Sequence, residues 1–316
     1  MPELSATTKK TYESCLRSVL VDKTTHTVRF VPPDLHEKVE DVIAHLKEAH
    51  PSPNSQRVYL SAIMWKVSDD PPVWLKYKEY FDKLRVSADA QATSQSISEA
   101  KSENYLPWEK IEEARENAMI DTVICPKKLS NEDYLMMALY ILIPPVRNDY
   151  AEMVVCFGFE KIPPIPGNYL LIWDIPNLGL DISAKMKFVF GDYKTFKTYG
   201  IKEFMIEDDR LKCALIKHLD ERNIKVRERN APQSQYQTCM TLFNTTKDAF
   251  AKKLQSLFER YAGKPVGIDL LRRAYITKFI DEENPSIARK KEIAERMLHS
   301  YVVQEIYRIV DSDSED

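Results

Sequence analysis

The sequence predicts a mainly α-helical protein with a small antiparallel β-sheet, divided into two domains. Polar starts followed by apolar residues every three to four positions recur through most of the chain, as in amphipathic helices. Short runs rich in β-branched and aromatic residues occur at 169–173, 186–190 and 201–206, and we expect these runs to form strands. A length of 316 residues is sufficient for two ordinary domains.

A helical domain is predicted at the start of the chain, where Tyr12, Leu16 and Val19 lie at helical spacing. From Ser87 the sequence reads Ser-Ala-Asp-Ala-Gln-Ala-Thr-Ser-Gln-Ser, which lacks an apolar period and is typical of a linker. The predicted divisions are a helical domain over 1–86, a linker over 87–105, a second domain over 106–310 and an acidic tail over 311–316.

The second domain is expected to contain helices at 107–117 and 130–143 before the strands. The apolar run 134–143 is about half as long as a membrane helix requires, so we expect a buried core helix. Between the second and third strands, glycines and Asp192 predict a turn over 191–200 that lifts its lysines away from the sheet edge.

The composition, 44% apolar and 29% charged, is that of a soluble globular protein. The N-terminus lacks the basic start and apolar stretch of a secretory signal, so we expect an intracellular protein in a reducing compartment. The five cysteines include no Cys-x-x-Cys pair, and neither a disulfide framework nor a zinc site is indicated.

The net charge of −3 does not by itself favour a polyanionic partner. Much of the excess acid lies in the tail, however, and the rest of the chain is nearly balanced. Nucleic-acid binding would therefore depend on local basic patches, although such patches are commonly solvated faces. The candidate patches are Lys185, Lys187, Lys194, Lys197 and Lys202, and the segment Arg222–Arg229.

Two arginine segments are candidates for phosphate chemistry. Arg147 follows an apolar helix and two prolines that end it, which fixes the arginine close to a core. An ion pair with Asp149 or Glu152 is the structural alternative for Arg147. Arg272 and Arg273 lie beside an apolar stripe at helical spacing, and one of them is expected to point inward.

A histidine, a tyrosine and a loop lysine complete the set. His299 and Tyr307 occur late in the chain, and Lys194, or its neighbour Lys197, lies in the predicted turn. Guanidinium groups and a histidine N–H stabilise the charge of an attacked phosphodiester, a tyrosine oxygen forms a covalent intermediate, and a lysine protonates the departing sugar oxygen. No acidic cluster suited to two-metal chemistry is visible, so we expect neither a metal nor another cofactor.

In their order and their residue patterns, these segments resemble those of the tyrosine recombinases and integrases. The lambda-integrase-like catalytic domain of that family shares its design with type IB topoisomerases. The family layout, a helical core-binding domain, a linker and an α+β catalytic domain, also resembles the predicted one. The resemblance assigns the first arginine to Arg147, the turn lysine to Lys194, the second arginine to Arg272, the histidine to His299 and the nucleophile to Tyr307. The segment Pro-Pro-Val-Arg-Asn-Asp-Tyr looks more like integrases of large DNA viruses of eukaryotes and Crypton-type transposons than like bacterial enzymes.

The resemblance implies a site-specific recombinase or integrase that clamps double-stranded DNA and rejoins it through a 3′-phosphotyrosyl intermediate, without a metal or small-molecule cofactor. It also implies a homo-tetramer on DNA, with no membrane partner, located in the nucleus or in a cytoplasmic viral factory. Two alternatives remain open. One is a type IB topoisomerase with the same chemistry, and the other is a DNA-binding protein of this fold that has lost the chemistry.

The sequence departs from the family pattern in a few places. Asp269 stands where the family often has a histidine, and it could orient Arg272, accept the tyrosine proton or mark lost activity. Leu298 replaces the glycine that precedes the active-site histidine in the family. The interval from His299 to Tyr307 is one residue shorter than in many members of the family, so Tyr301 is a second candidate for the nucleophile.

Overall fold

The computed structural model describes residues 4–22, 24–93, 102–124, 129–158, 160, 166–176, 179–222 and 240–309. The chain divides into two compact units, Met1–Ser96 and Ile97–Asp316. Over the described ranges it is mainly helical, with a five-stranded sheet in the second unit, which confirms the predicted mainly α class with a small sheet. No helix among these ranges is long and apolar enough to cross a membrane.

The first unit is helical. Its helices are α1 (Ala6–Leu20), α2 (Asp34–Glu37), α3 (Val39–Ala49), α4 (Pro53–Lys66) and α5 (Pro71–Thr93). Ser5 begins α1 by accepting a hydrogen bond from the backbone N–H of Thr8 at 3.1 Å, which satisfies a free amide of the first turn. Helix α5 extends into the predicted linker, because alanine and glutamine in that stretch are compatible with a helix. Residues 94–101 of the predicted linker lie outside the described residues.

Apolar faces of these helices form the core of the first unit. Val42, Leu60 and Ile63 are completely buried in it. The buried Tyr77 donates its hydroxyl hydrogen to the carbonyl of Leu35 at 2.9 Å, so its polar end has a partner where water is excluded. The first unit therefore has an apolar core of its own.

The second unit contains the other helices of the described ranges. They are α6 (Trp108–Ile124), α7 (Asn131–Ile141), α8 (Phe196–Tyr199), α9 (Asp209–Glu221), α10 (Lys247–Ala262), α11 (Ile268–Glu283), α12 (Ile287–Arg296) and α13 (Tyr301–Tyr307), with a 3₁₀ helix at Asn148–Tyr150. Ser130 begins α7 by accepting a hydrogen bond from the Asp133 amide at 3.1 Å. Every residue from Tyr134 to Ile141 is buried, which confirms the predicted core helix.

The sheet of the second unit is mixed. Its strands are β1 (Val154–Phe157), β2 (Asn168–Trp173), β3 (Lys185–Phe190), β4 (Lys202–Met205) and β5 (Met240–Thr241), in the order β4-β3-β2-β1-β5. The three predicted strands are confirmed as β2, β3 and β4. An entirely antiparallel sheet was the wrong prediction, because β1 and β2 run parallel. Strands β1 and β5 were not predicted, and β5, with two residues, is too short to show a periodic pattern.

An aromatic cluster joins the sheet to the segment after α7. The ring of Tyr150 lies 5.3 Å from that of Phe188, 5.7 Å from that of Phe190 and 5.7 Å from that of Tyr140, measured between centroids. Aromatic pairs at these distances stabilise a core beyond the area they bury. The short 3₁₀ helix that follows Arg147 is therefore held firmly against β3.

Candidate active site

Side chains from separate segments of the second unit meet around the phenol ring of Tyr307, the last residue of α13. The guanidinium carbon of Arg272, on α11, lies 5.3 Å from the centroid of this ring. The His299 imidazole, in the turn between α12 and α13, stacks on the ring with 5.6 Å between centroids. The Arg147 guanidinium donates to the carbonyl of Leu298, beside His299. Four of the five predicted site residues are thus brought together.

Arg272 is the arginine that points inward, with a side chain only 1% exposed. One terminal nitrogen donates to the carbonyls of Pro145 and Met297 at 3.0 and 3.1 Å, and the other lies 2.9 Å from Nδ1 of His299. Burial lowers the pKa of the guanidinium, and the opposing effect of the nearby Tyr307 hydroxyl offsets this only in part. Its Nε has no hydrogen-bond partner within the described residues. Arg272 therefore keeps one buried N–H donor unused.

His299 is a neutral imidazole with a fixed tautomer. A guanidinium cannot accept a hydrogen bond, so Nδ1 of His299 must accept from Arg272 and the ring proton must reside on Nε2. Burial, followed by the charges of Arg272 and Arg147, lowers the pKa of His299 to about 3. Nε2 is buried and has no partner in the described part of the chain. The site thus contains a second unused N–H donor.

Arg147 is positioned through its backbone. Its carbonyl accepts a hydrogen bond from the Tyr140 hydroxyl at 2.6 Å, and its guanidinium donates to the Leu298 carbonyl at 3.5 Å. Within the described ranges it forms no ion pair with Asp149 or Glu152, so that alternative is wrong. Glu152 instead lies 3.6 Å from the Lys247 ammonium. The Arg147 charge acts on His299, whose pKa it helps to lower, and also on the buried carboxyl of Asp149 in its own segment.

Leu298 occupies a backbone conformation that favours glycine, with φ of +56°. Its carbonyl accepts hydrogen bonds from Arg147 and, at 3.1 Å, from the hydroxyl of Thr195. The side chain is buried in the main core of the second unit, which offsets the backbone strain. This left-handed turn supplies a physical reason for glycine at the corresponding position of the resembled family.

The residues after Tyr307 attach to α11 of the same chain. Arg308 forms an ion pair with Asp281, with 2.6 Å between the nearest charged atoms. The amide of Ile309 donates to the hydroxyl of Thr277 at 3.0 Å. At the other end of α13, Ser300 accepts from the Val303 amide at 3.2 Å and begins the helix. Both ends of the short helix that carries Tyr307 are therefore fixed.

Arg273 belongs to the same cluster, although the sequence alone did not identify it as a site residue. Its guanidinium carbon lies 5.1 Å from the centroid of the Tyr307 ring. Asp269 forms an ion pair with Arg273 over 3.5 Å, at a spacing of four residues on α11. That spacing places both side chains on one helix face and could have indicated the pair. Asp269 thus forms an ion pair with Arg273, and its charge also acts on Arg272.

Lys194, the fifth predicted residue, is exposed in the turn between β3 and β4. Within the described residues no hydrogen bond or ion pair joins its ammonium to the arginines, His299 or Tyr307. Lys197 is likewise exposed, on α8. Three other lysines of the predicted basic patch are paired with acids: Lys185 with Asp174, Lys187 with Glu203 and Lys202 with Glu295. Of the second predicted patch, residues 223–229 lie outside the described residues.

Tyr301, the second candidate nucleophile, lines a different part of this region. It contributes to a cavity of about 300 Å³ together with His299, Tyr193, Tyr199 and Lys202. Tyr301 begins α13 and Tyr307 ends it. The two phenols therefore lie at opposite ends of the same short helix, and Tyr307 is the one in contact with the arginines.

No model of a known protein family matches the sequence, and no curated protein matches it. Among solved structures, the chain is similar to the crystal structure of XerA recombinase, with 15% sequence identity and a TM-score of 0.39. The match covers 98% of this chain and 89% of that one. Because this identity and this TM-score are low, the function is inferred from the chemistry of the site alone.

The site is suited to an anion. Among the described residues, no group of three or more His, Cys, Asp or Glu side chains is arranged to hold a metal ion. The groups around Tyr307 are guanidinium ions and an imidazole that presents an N–H donor. Guanidinium groups bind phosphate through planar, charge-assisted hydrogen bonds.

Proposed function

We propose that this chain is a site-specific DNA recombinase or integrase in which Tyr307 attacks a phosphodiester. The observation that carries the proposal is the pair of unused buried donors, Nε of Arg272 and Nε2 of His299, next to the Tyr307 ring. Most buried polar groups have hydrogen-bond partners, so two unsatisfied donors in one cluster suggest a ligand with acceptor oxygens. A phosphodiester has such oxygens.

The charges of the site suit the transition state of phosphoryl transfer. Arg147 and Arg272 supply fixed positive charge, and His299 supplies a neutral N–H donor. Attack by an oxygen builds negative charge on the non-bridging phosphate oxygens, and preorganised donors stabilise that charge most strongly where water is excluded. With Nδ1 occupied and Nε2 protonated, His299 acts as a hydrogen-bond donor rather than as the base for Tyr307.

The proposed reaction exchanges one phosphate ester for another. The Tyr307 oxygen forms a bond to phosphorus and loses its proton to solvent, and the bond from phosphorus to the 5′ oxygen breaks. Lys194 gives a proton to the departing 5′ oxygen, with Lys197 as the alternative donor from the same turn. The 3′-phosphotyrosyl intermediate stores the bond energy, and the 5′-hydroxyl of another strand then releases Tyr307 by the reverse reaction.

The test is covalent trapping on nicked DNA duplexes of randomised sequence, in the presence of a metal chelator. Cleavage close to the nick releases a short fragment, so rejoining fails and the protein remains attached. We expect an adduct that survives detergent. DNA binding without an adduct would instead favour a binding protein that has lost the chemistry.

A second assay distinguishes the recombinase from a type IB topoisomerase. A recombinase requires two sites and exchanges strands between them, whereas a topoisomerase relaxes a supercoiled plasmid as a single bound molecule. We expect strand exchange by a homo-tetramer on DNA, carried out by an integrase of the large-DNA-virus or Crypton type. Gel filtration with DNA that yields only monomer complexes would contradict the tetramer.

A further inference from the structure

We propose that Asn168 is a positioning residue that, together with Thr195, fixes the turn carrying Lys194 relative to the Arg147 segment. This role rests on the proposed function and deepens it, because it concerns how the leaving-group acid is placed. Lys194 itself is exposed, and among the described residues its ammonium forms no hydrogen bond or ion pair with Arg147, Arg272 or Arg273. Its backbone, in contrast, lies between two anchored positions.

Asn168 forms the first anchor. It is the first residue of β2, is only 7% exposed, and uses both ends of its amide. Its nitrogen donates to the carbonyls of Asp149 and Asp192 at 3.0 and 2.9 Å, and its oxygen accepts from the amides of Gly191 and Asp192 at 3.1 and 3.0 Å. One side chain thus joins the 3₁₀ helix after Arg147 to the start of the Lys194 turn.

The start of the turn also lies too close to β2 for a side chain. A Cβ atom added to Gly191 would lie 2.8 Å from the carbonyl oxygen of Gly167. The Gly191 amide donates to that same carbonyl at 3.0 Å. Glycine at this position therefore allows the turn to approach closely enough for the Asn168 amide to reach it.

Thr195 forms the second anchor, on the other side of Lys194. Its hydroxyl donates to the Leu298 carbonyl at 3.1 Å, and the Arg147 guanidinium donates to the same oxygen. The turn is therefore attached to the Arg147 segment through Asn168 and to the His299 segment through Thr195. An exposed lysine side chain is flexible, but fixing its backbone limits the volume that its ammonium explores.

A substrate with sulfur in place of the bridging 5′ oxygen isolates this role. A thiolate is a much weaker base than an alkoxide and leaves without taking a proton, so cleavage of this substrate does not require the lysine. A variant that only misplaces the acid should be defective on the oxygen substrate and recover on the sulfur substrate. A variant that disturbs Arg147 or the fold should be defective on both.

The variants are Asn168→Ala and Thr195→Val, with Lys194→Ala as the reference for loss of the acid. Each is assayed as the full chain in the nicked-duplex trap with both substrates. We expect Asn168→Ala to trap the oxygen substrate about 10- to 100-fold more slowly, because misplacement by about 1 Å has such an effect. On the sulfur substrate we expect rates within about threefold of the parent, as for Lys194→Ala.

Gln56→Ala is the matched control, because Gln56 is a buried amide with hydrogen bonds in the first unit. It should affect both substrates alike. Thermal unfolding confirms that each variant is folded, and hydrogen exchange at the Asp192 amide reports directly on the first anchor. We expect faster exchange there in Asn168→Ala and no change in Gln56→Ala.

Equal losses of Asn168→Ala on both substrates would overturn the positioning role, as would a folded Asn168→Ala that traps the oxygen substrate at the parental rate. A parent protein that traps neither substrate would overturn the proposed function itself, and this role with it. If the parent traps both substrates, equal losses of Asn168→Ala on the two substrates would overturn the positioning role alone.

Discussion

Arg272 donates a hydrogen bond to Nδ1 of His299 over 2.9 Å, and this contact determines how both residues can act on a substrate. It places the histidine proton on Nε2, and burial together with the charges of Arg272 and Arg147 keeps the imidazole neutral. The same guanidinium is fixed by the carbonyls of Pro145 and Met297. Arg272 and His299 are therefore a preorganised pair that offers N–H donors to one anion.

Arg272→Lys retains the positive charge but removes the planar guanidinium with its several N–H donors. Removing one oxyanion-binding donor commonly slows catalysis by about 10²- to 10³-fold, so we expect at least the lower value in the rate of adduct formation. We also expect the free energy of unfolding in urea to fall by about 2–4 kcal/mol, because the buried carbonyls of Pro145 and Met297 lose their hydrogen-bond donor. Arg289→Lys, on the exposed face of α12, is the control and should change neither quantity. Adduct formation at the parental rate would contradict the proposed role of Arg272.

The buried His299 makes stability depend on pH in a defined direction. Its folded-state pKa is lowered to about 3, so below the unfolded value near 6.5 the unfolded chain binds a proton that the folded protein does not. Stability therefore falls as the pH decreases through this window, by about 1 kcal/mol per pH unit. We expect the stability difference between the parent and His299→Gln to shift by this amount per unit between pH 6 and pH 4. A difference that stays constant over this range would contradict a buried neutral imidazole.

Substitution of Leu298 tests the left-handed backbone at the site. Both Leu298→Ala and Leu298→Gly lose a buried side chain, which costs about 2–5 kcal/mol. Glycine accepts the positive φ, so we expect the glycine variant to be more stable than the alanine variant by about 1 kcal/mol. Leu135, buried inside helix α7, is the matched control. At that position we expect the alanine variant to be more stable than the glycine variant by about the same amount. An identical order of stability at both positions would refute the strained turn.

Asp269→Asn separates an orienting carboxylate from a catalytic base. The Asp269 carboxylate is 42% exposed and its ion pair with Arg273 spans 3.5 Å, so the stability change should stay below about 1 kcal/mol. Loss of a general base would slow cleavage by about 10²- to 10⁴-fold. We expect a much smaller change in the rate of adduct formation. A loss within the general-base range would assign the Tyr307 proton to Asp269.

The sequence was sufficient where a local pattern determines the structure. The continuous apolar run of α7 has the length of a helix, and the runs of β2 and β3 have the length and composition of strands. Residues such as Arg147 and His299 could be grouped only by resemblance, because their proximity depends on the packing of distant segments. Asn168 was not predicted as a site residue, because a single asparagine shows no sign of its tertiary contacts. Arg273 was not predicted either, although its spacing of four residues from Asp269 indicates their ion pair.

The nucleophile is the central claim, and mass spectrometry of the trapped complex tests it most directly. The protein is trapped on the nicked duplex, digested, and the peptide that carries the residual nucleotide is identified, with Tyr307→Phe and Tyr301→Phe analysed in parallel. We expect the nucleotide on Tyr307, no adduct from Tyr307→Phe and an adduct from Tyr301→Phe. A nucleotide on Tyr301, with an adduct that survives Tyr307→Phe, would contradict the proposed site.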